Sequence, residues 1–313
     1  MQNNKFKTTM GSHIPVVESS IKNLIYIFTS LKYTKYKVLN ILGLQIFRYL
    51  GSKLMYFINS LKFKGNKLYP SYDQFGYHVI PDILPEGQLD RLKIEFEKCI
   101  KHKSQDLFNQ ETNKQMTEIH IDPILENKSV EMHAHEFKFK EDEIKEFPEM
   151  YKLYKSQFLN DLFSFAEKKT NPIITMRLER VIQKDDFVNE FNTLWHMDTF
   201  HDTHKGYLYL TEVKKENGPF TYLISSCRFS FRSLYMEYKN SIKFALNKST
   251  RSFRIFDTDA NFPKDEIKEI ICKPNTFLIA NTLGLHRRGN AIKGSVRDAI
   301  HFWTRENPFK IKK

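Results

Sequence analysis

The stretch that most constrains the fold of this 313-residue chain is Thr193–Thr211, TLWHMDTFHDTHKGYLYLT. An apolar run leads into it, His196 and Asp198 follow two residues apart, and a strand-like run leaves it. In an extended backbone alternate side chains share a face, so this imidazole and this carboxylate reach one point together. A metal held there needs a third ligand from elsewhere. Downstream, Asn281-Thr282-Leu283-Gly284-Leu285-His286 supplies an imidazole just after the apolar run that begins at Phe277. Arg297 then opens another strand-like run, through Asp298-Ala299-Ile300-His301-Phe302-Trp303. Two histidines and one carboxylate on a β scaffold, with other coordination positions left open, suit non-haem Fe(II).

This ordered set, His-x-Asp, a distal His and an Arg beyond it, resembles the Fe(II)/2-oxoglutarate dioxygenases, and most closely their phytanoyl-CoA dioxygenase-like branch. Tyr72 to Leu84 (YDQFGYHVIPDIL) is similar to that branch's opening strand and first-helix entry. Glu216-Asn217-Gly218-Pro219-Phe220 resembles its turn after the strand that follows His-x-Asp. The resemblance spans Tyr69 to Arg305. It implies His196, Asp198 and His286 as ligands of Fe(II), with 2-oxoglutarate and O₂ as co-reactants. It also implies that Arg297 pairs with the distal carboxylate of 2-oxoglutarate, a task that suits a planar, permanently charged fork. Related halogenases carry a small residue at the Asp198 position, so this carboxylate points to hydroxylation or desaturation.

If Arg297 faces the barrel interior, strand alternation brings Ala299, His301 and Trp303 with it and turns Ile300 and Phe302 outward. Tyr207, Tyr209 and Thr211 share one face of their strand, and Tyr209 and Thr211 are candidate hydroxyl partners for the cosubstrate. The chain departs from the resemblance in three places. The linker Thr199–Gly206 is short and carries His201 and His204, a rival ligand pair on a loop, where ligand geometry is less well fixed. Ser225-Ser226-Cys227-Arg228 replaces the Gly-Ser-His usual at that point. Arg288 stands two residues after the distal His, where a small hydroxyl residue is common, and points either to the cosubstrate or outward.

Charge divides the chain. Residues 1–67 hold eleven Lys/Arg against one acid, Glu18, a charge of +10 within a total of +12. The boundary falls near Lys64–Lys67, giving a basic, apolar-rich helical extension (1–67) and a nearly neutral dioxygenase-like domain (68–313). Two helices are expected in the extension, at 20–33 and 38–63. They form either a hairpin packed on the barrel or a contact with an anionic membrane surface. Lipid is favoured over nucleic acid because phosphates alone give the Leu and Ile residues nothing to bury against. Cys99, Cys227 and Cys272 are odd in number, far apart and without CxxC spacing, which suits a reducing compartment. No run of roughly 18 apolar residues appears, and the first twenty residues lack the apolar core of a secretory signal. The expected location is cytoplasmic, peripheral at a membrane.

Helical spacing recurs at Pro85–His102, Glu149–Lys168 and Phe229–Leu246. Residues 103–150 read as a polar loop or substrate lid, His133 and His135 included. Strands are expected at Ile173–Ile182, Asn192–Met197, Tyr207–Val213, Phe220–Ile224, Ser252–Asp257, Ile267–Cys272, Phe277–Thr282 and Ser295–Thr304. Short strands after helices predict an α+β protein: a double-stranded β-helix (jelly-roll, cupin-like) core buttressed by helices. The expected activity is oxidation of an unactivated C–H bond of a small organic or lipid-like substrate, with release of succinate and CO₂. A nucleic-acid-directed oxygenase on the same scaffold, or a non-catalytic jelly-roll binding protein, are the alternatives.

Overall fold

Alternation along Thr175–Ile182 decides the architecture, because Met176, Leu178 and Arg180 leave one face of that strand and Arg177, Glu179 and Val181 the other. The computed structural model describes residues 27–29, 33–34, 36–65, 69–109, 133–138, 144–183, 193–246, 254–255 and 261–309, with backbone alone for 102–109 and 133–138. Its strands are β1 (Tyr77–Ile80), β2 (His133–Lys138), β3 (Thr175–Ile182), β4 (Trp195–His196), β5 (His204–Tyr209), β6 (Phe220–Leu223), β7 (Arg254–Ile255), β8 (Ile267–Ile270), β9 (Thr276–Asn281), β10 (His286–Arg288) and β11 (Val296–Thr304). They form two sheets, one ordered β1-β9-β5-β11-β3-β2 and one ordered β7-β4-β10-β6-β8, with every pairing antiparallel. The fold is the α+β jelly roll expected from the strand pattern.

The helices are α1 (Lys37–Ile41), α2 (Leu44–Lys62), α3 (Pro70–Phe75), α4 (Gln88–Asn109), α5 (Pro148–Tyr154), α6 (Gln157–Glu167) and, between β6 and β7, α7 (Phe231–Ala245). Of these, α3 to α6 pack on one face of the larger sheet, while α2 and α7 meet Trp195 and Leu223 of the smaller sheet through Tyr49 and Leu234. Met176, Leu178, Leu208, Phe277, Ile300 and Phe302 meet Leu92, Phe96, Leu162 and Phe163 in one core. Burying each such side chain contributes roughly 1.5–3 kcal/mol, so this layer dominates the stability. The opposite face turns Tyr207, Tyr209, Leu278, Ala280 and Ala299 towards Phe220, Tyr222 and Ile270 of the smaller sheet. The interior between the sheets is therefore lined by alternate residues of both.

Several boundaries differ from expectation. The 38–63 helix is two, because Gly43 adopts φ +86° between α1 and α2, a left-handed conformation that glycine takes without a Cβ penalty. The 149–168 helix also breaks, where the Ser156 hydroxyl caps α6 by accepting from Leu159 N. His133–Lys138 is not loop but a strand, paired along β3. Its alternating pattern lay inside a polar segment and gave no apolar signal. The 103–150 segment is otherwise helical at its start and from Pro148, and residues 110–132 and 139–143 lie outside the described residues. Most of the 20–33 helix and all of 252–257 except Arg254 and Ile255 do so as well.

Helix α2 packs on the body through its polar side. Tyr49 Oη lies 3.0 Å from Ser233 Oγ of α7, and Gln45 Nε2 donates to Glu237 Oε2 at 2.9 Å. Lys53 Nζ reaches both carboxylate oxygens of Asp202 at 3.0 Å and donates to Cys227 O at 2.9 Å. Asn281 Nδ2 donates to the same carboxylate at 2.7 Å. Burial works against the Lys53 charge, but Asp202 outweighs it and holds the pKa up. Removing one member of a buried pair leaves the other uncompensated. Lys53→Met is expected to cost about 3–5 kcal/mol of stability, read from the denaturant midpoint at unchanged m-value.

Candidate metal centre

Strands β4 and β10 pair so that His196 stands directly opposite His286. Their ring centroids are 4.3 Å apart. Each ring is fixed by its own chain: His196 Nδ1 donates to Leu194 O at 2.8 Å and His286 Nδ1 to Gly284 O at 2.9 Å. Both lone pairs are thereby left on Nε2, the tautomer a metal ligand requires. Gly284 is needed here because a Cβ would collide with the Tyr222 hydroxyl, which is held by Asn281 O at 2.9 Å.

Asp198 lies just beyond β4, anchored by its N–H to Thr282 O at 3.0 Å. Its Oδ1 is 3.9 Å from His196 Nε2 and 3.8 Å from His286 Nε2. The ligand atoms of the three residues all lie within 4.8 Å of one another, and among the described residues this is the one such cluster found. Burial, then the neighbouring His286, holds His196 well below its ordinary pKa, and burial pulls His286 down to about 4. Both imidazoles are neutral near pH 7. Burial opposes the Asp198 charge, yet the Lys205 and Arg305 cations hold its carboxyl well below the usual range. A carboxylate facing two neutral imidazoles, with the buried His286 Nε2 lacking a hydrogen-bond partner, fits a divalent metal.

The inner face continues from this point through stacked rings. Phe220 stacks on His286 at 5.4 Å, Tyr207 lies 5.8 Å from Phe220, and His301 stacks on Tyr207 at 4.4 Å. Beyond them sits Arg297, buried and turned inward as alternation requires. It donates to Gly218 O, and its Nη2 lies 3.3 Å from Glu179 Oε1. Arg177 Nη2 takes the other Glu179 oxygen at 3.3 Å, and Arg177 Nε donates to His301 Nδ1 at 2.6 Å. Two guanidinium groups thus share one carboxylate, leaving a net positive charge. Arg297 Nε is buried without a hydrogen-bond partner.

No protein-family model matches the chain, and no curated protein matches it by sequence. Solved structures of similar layout include AviO1 from Streptomyces viridochromogenes Tue57, at TM-score 0.46 and 13% identity over 75% of this chain and 92% of that one. Another is HygX from Streptomyces hygroscopicus with nickel and 2-oxoglutarate bound, at 0.44 and 13% over 74% and 83%. A third is EctD from S. alaskensis with bound Fe, at 0.43 and 17% over 78% and 79%. With TM-scores below 0.5, none of them decides the chemistry of this chain.

The remaining candidates divide. Arg288 shares the inner face with His286, is buried, and donates to Gln183 Oε1 at 3.3 Å. Tyr209 lies inside the barrel, where the Arg297 charge reaches it. Thr211 is not brought to the interior: β5 ends at Tyr209, and the Thr211 hydroxyl accepts from Asp298 N at 3.1 Å. It borders a cavity of about 400 Å³ beside Lys93 and Phe96, away from the His196–Asp198–His286 cluster. The rival pair does not converge. β5 begins at His204, which faces the helices and hydrogen-bonds Tyr72 Oη, while His201 Nδ1 engages Asp202 O at 2.9 Å. Lys205 was missed. Its Nζ meets Asp198 Oδ2 at 2.7 Å, with Arg305 Nη2 on the same oxygen at 3.6 Å. The sequence signal is its parity with Tyr207 and Tyr209.

Burial lowers six imidazoles, His78, His196, His201, His204, His286 and His301. From an unfolded value of 6.5, His201 and His286 fall to about 4 and His204 to about 3. Below pH 6.5 the unfolded chain therefore binds protons that the folded chain refuses, and stability falls with pH. Glu167 and Glu237, raised by burial from 4.5 to about 7, act oppositely in that window. The histidines outnumber them. The metal-free protein is expected to lose melting temperature steadily between pH 6.5 and 4.5, as a calorimetric series would show.

Proposed function

We propose that this chain is an Fe(II)- and 2-oxoglutarate-dependent oxygenase that hydroxylates or desaturates an unactivated C–H bond of a small organic or lipid-like molecule. The observation that carries this reading is one interior holding both a converged His196–Asp198–His286 cluster and a buried, inward Arg297. Within the superfamily, the motif order supports the phytanoyl-CoA dioxygenase-like branch. Bound Fe(II), with 2-oxoglutarate and O₂, would supply the oxidising power, with succinate and CO₂ as co-products.

The chain's own groups divide the remaining work. His196 and His286 present fixed Nε2 lone pairs, so little ordering entropy is lost when the metal is held. Lys205 and Arg305 occupy Asp198 Oδ2 and leave Oδ1 to the imidazole side. That division favours one-oxygen ligation and preserves open positions for cosubstrate. Arg297 carries the charge for a distal carboxylate, at the far end of a ring-lined interior. Burial holds the Tyr209 phenol in its protonated form, so it can only donate to such an anion. The aromatic lining through Phe220 and Tyr207 limits water near the reacting carbon.

Anaerobic reconstitution is expected to load one Fe(II) per chain, and His196→Ala, Asp198→Ala or His286→Ala should each abolish succinate formation. His204→Ala should leave iron bound. Full succinate production by any of the three ligand variants would overturn the assignment, and iron binding without any turnover of 2-oxoglutarate would indicate a binding protein instead.

Arg297→Leu removes a buried charge from the interior while keeping an apolar strand position. Losing one partner of such a pair costs about 3–5 kcal/mol, or roughly two to three or more decades in affinity. The half-saturating 2-oxoglutarate concentration should rise accordingly, with iron affinity retained. An unchanged requirement would transfer the contact to Arg288.

A further inference from the structure

Helix α2 is amphipathic in the wrong sense for a helix that only buttresses a barrel. Its inward side is polar: Gln45, Arg48, Tyr49 and Ser52 are buried, and Lys53 and Tyr56 bond the body through Asp202 and Ala166 O. Its outward side is apolar. Phe47, Leu50, Leu54, Phe57 and Leu61 follow a three-four-three-four spacing that places them on one stripe, and they are 40–70% exposed. On α1 and its flank, Val38 and Leu42 are exposed as well, at 67% and 69%. Water gains nothing from such a stripe, and a monomer rarely displays one without an occupant.

Charge selects the occupant. Between Glu18 and Asp73 the sequence contains no Asp or Glu, so the charges that α1, α2 and their flanks themselves set beside the stripe are cations, and Lys37, Lys62 and Lys64 are exposed. A second copy of this chain seated on the stripe would set like charges against one another. A nucleic acid would satisfy the lysines and leave the Phe and Leu side chains in water. An anionic lipid leaflet accepts both, taking apolar groups at the acyl boundary and cations at the headgroups. We infer that α2 is a membrane-surface docking helix, lying flat with its Phe47–Leu61 stripe in the headgroup region of an anionic bilayer. No described helix is long and apolar enough to cross a membrane. Because Lys53 ties α2 to Asp202, four residues after Asp198, docking would hold the barrel beside the lipid surface.

The test is cosedimentation of the full chain with vesicles of phosphatidylcholine alone or with phosphatidylserine. The wild type is expected to bind the anionic vesicles preferentially. Raising salt from about 0.1 M to about 1 M shortens the Debye length from about 10 to about 3 Å and should weaken binding. Leu54→Ser with Phe57→Ser should weaken partition roughly tenfold or more, with circular dichroism and succinate formation unchanged. The inference is overturned if the wild type stays in the supernatant, binds neutral vesicles equally well, or binds duplex DNA more tightly than lipid. It is equally overturned if the double variant binds anionic vesicles as the wild type does, or if the wild type is a dimer that this variant splits.

Discussion

The antiparallel pairing of β4 with β10 is the constraint on which the site depends, since it sets two tilted imidazoles with centroids 4.3 Å apart by backbone register alone. Register is unforgiving here, because a slip of one residue would turn His196 or His286 to the other face. Several groups hold it in place. Trp195, next to His196, is packed on Phe262 at 5.5 Å and under the Arg287 guanidinium at 4.8 Å. Tyr222 pairs across from His286 on the other side of β10. The rings are buried neutral, and their Nδ1 atoms are already spent on carbonyls, so only Nε2 remains for chemistry.

A division of labour follows between the two faces of the larger sheet. Its outer layer is mainly apolar and packed under helices, with the Arg180–Asp298 pair and His204 as its polar members, whereas its inner layer holds Arg177, Glu179, Lys205, Arg297 and His301. Buried ion pairs seldom add net stability over well-packed apolar groups, because each charge must first be desolvated. The inner charges, paired with one another, are therefore no source of stability. The helical layer supplies the stability that such an interior lacks.

What the sequence made legible depended on short-range periodicity. The His-x-Asp pair, the inward set Arg297, Ala299 and His301, and the opposed faces of β3 all follow from a two-residue repeat, and the structure shows the same faces. Contacts that need the register between distant strands were not legible. Lys205 and Arg305 both come to Asp198 because β5 and β11 pair with Lys205 opposite Trp303, a relation no local pattern encodes. Thr211 was misread because the parity argument was carried past the end of β5. Helix α2 defeated the reading differently: periodicity finds an apolar stripe but not the side that faces the body, and here Gln45, Arg48 and Ser52 are the inward ones.

The order of strands in the larger sheet has a consequence for how the molecule forms. β11 lies between β5 and β3, and β1 pairs with β9, joining Tyr77 to Ala280. Until β11 inserts, β3 with its partner β2 has no link to the strand group β1-β9-β5. Closing such sequence-distant pairings imposes loop entropy before contacts repay it, which slows collapse to the native topology. The helices α4 to α6 are local and can form early, but they present an apolar face that stays uncovered until the sheet is joined. During that interval the nascent chain is at its most prone to clump with its neighbours, the physical counterpart of a sheet sealed by its last strand.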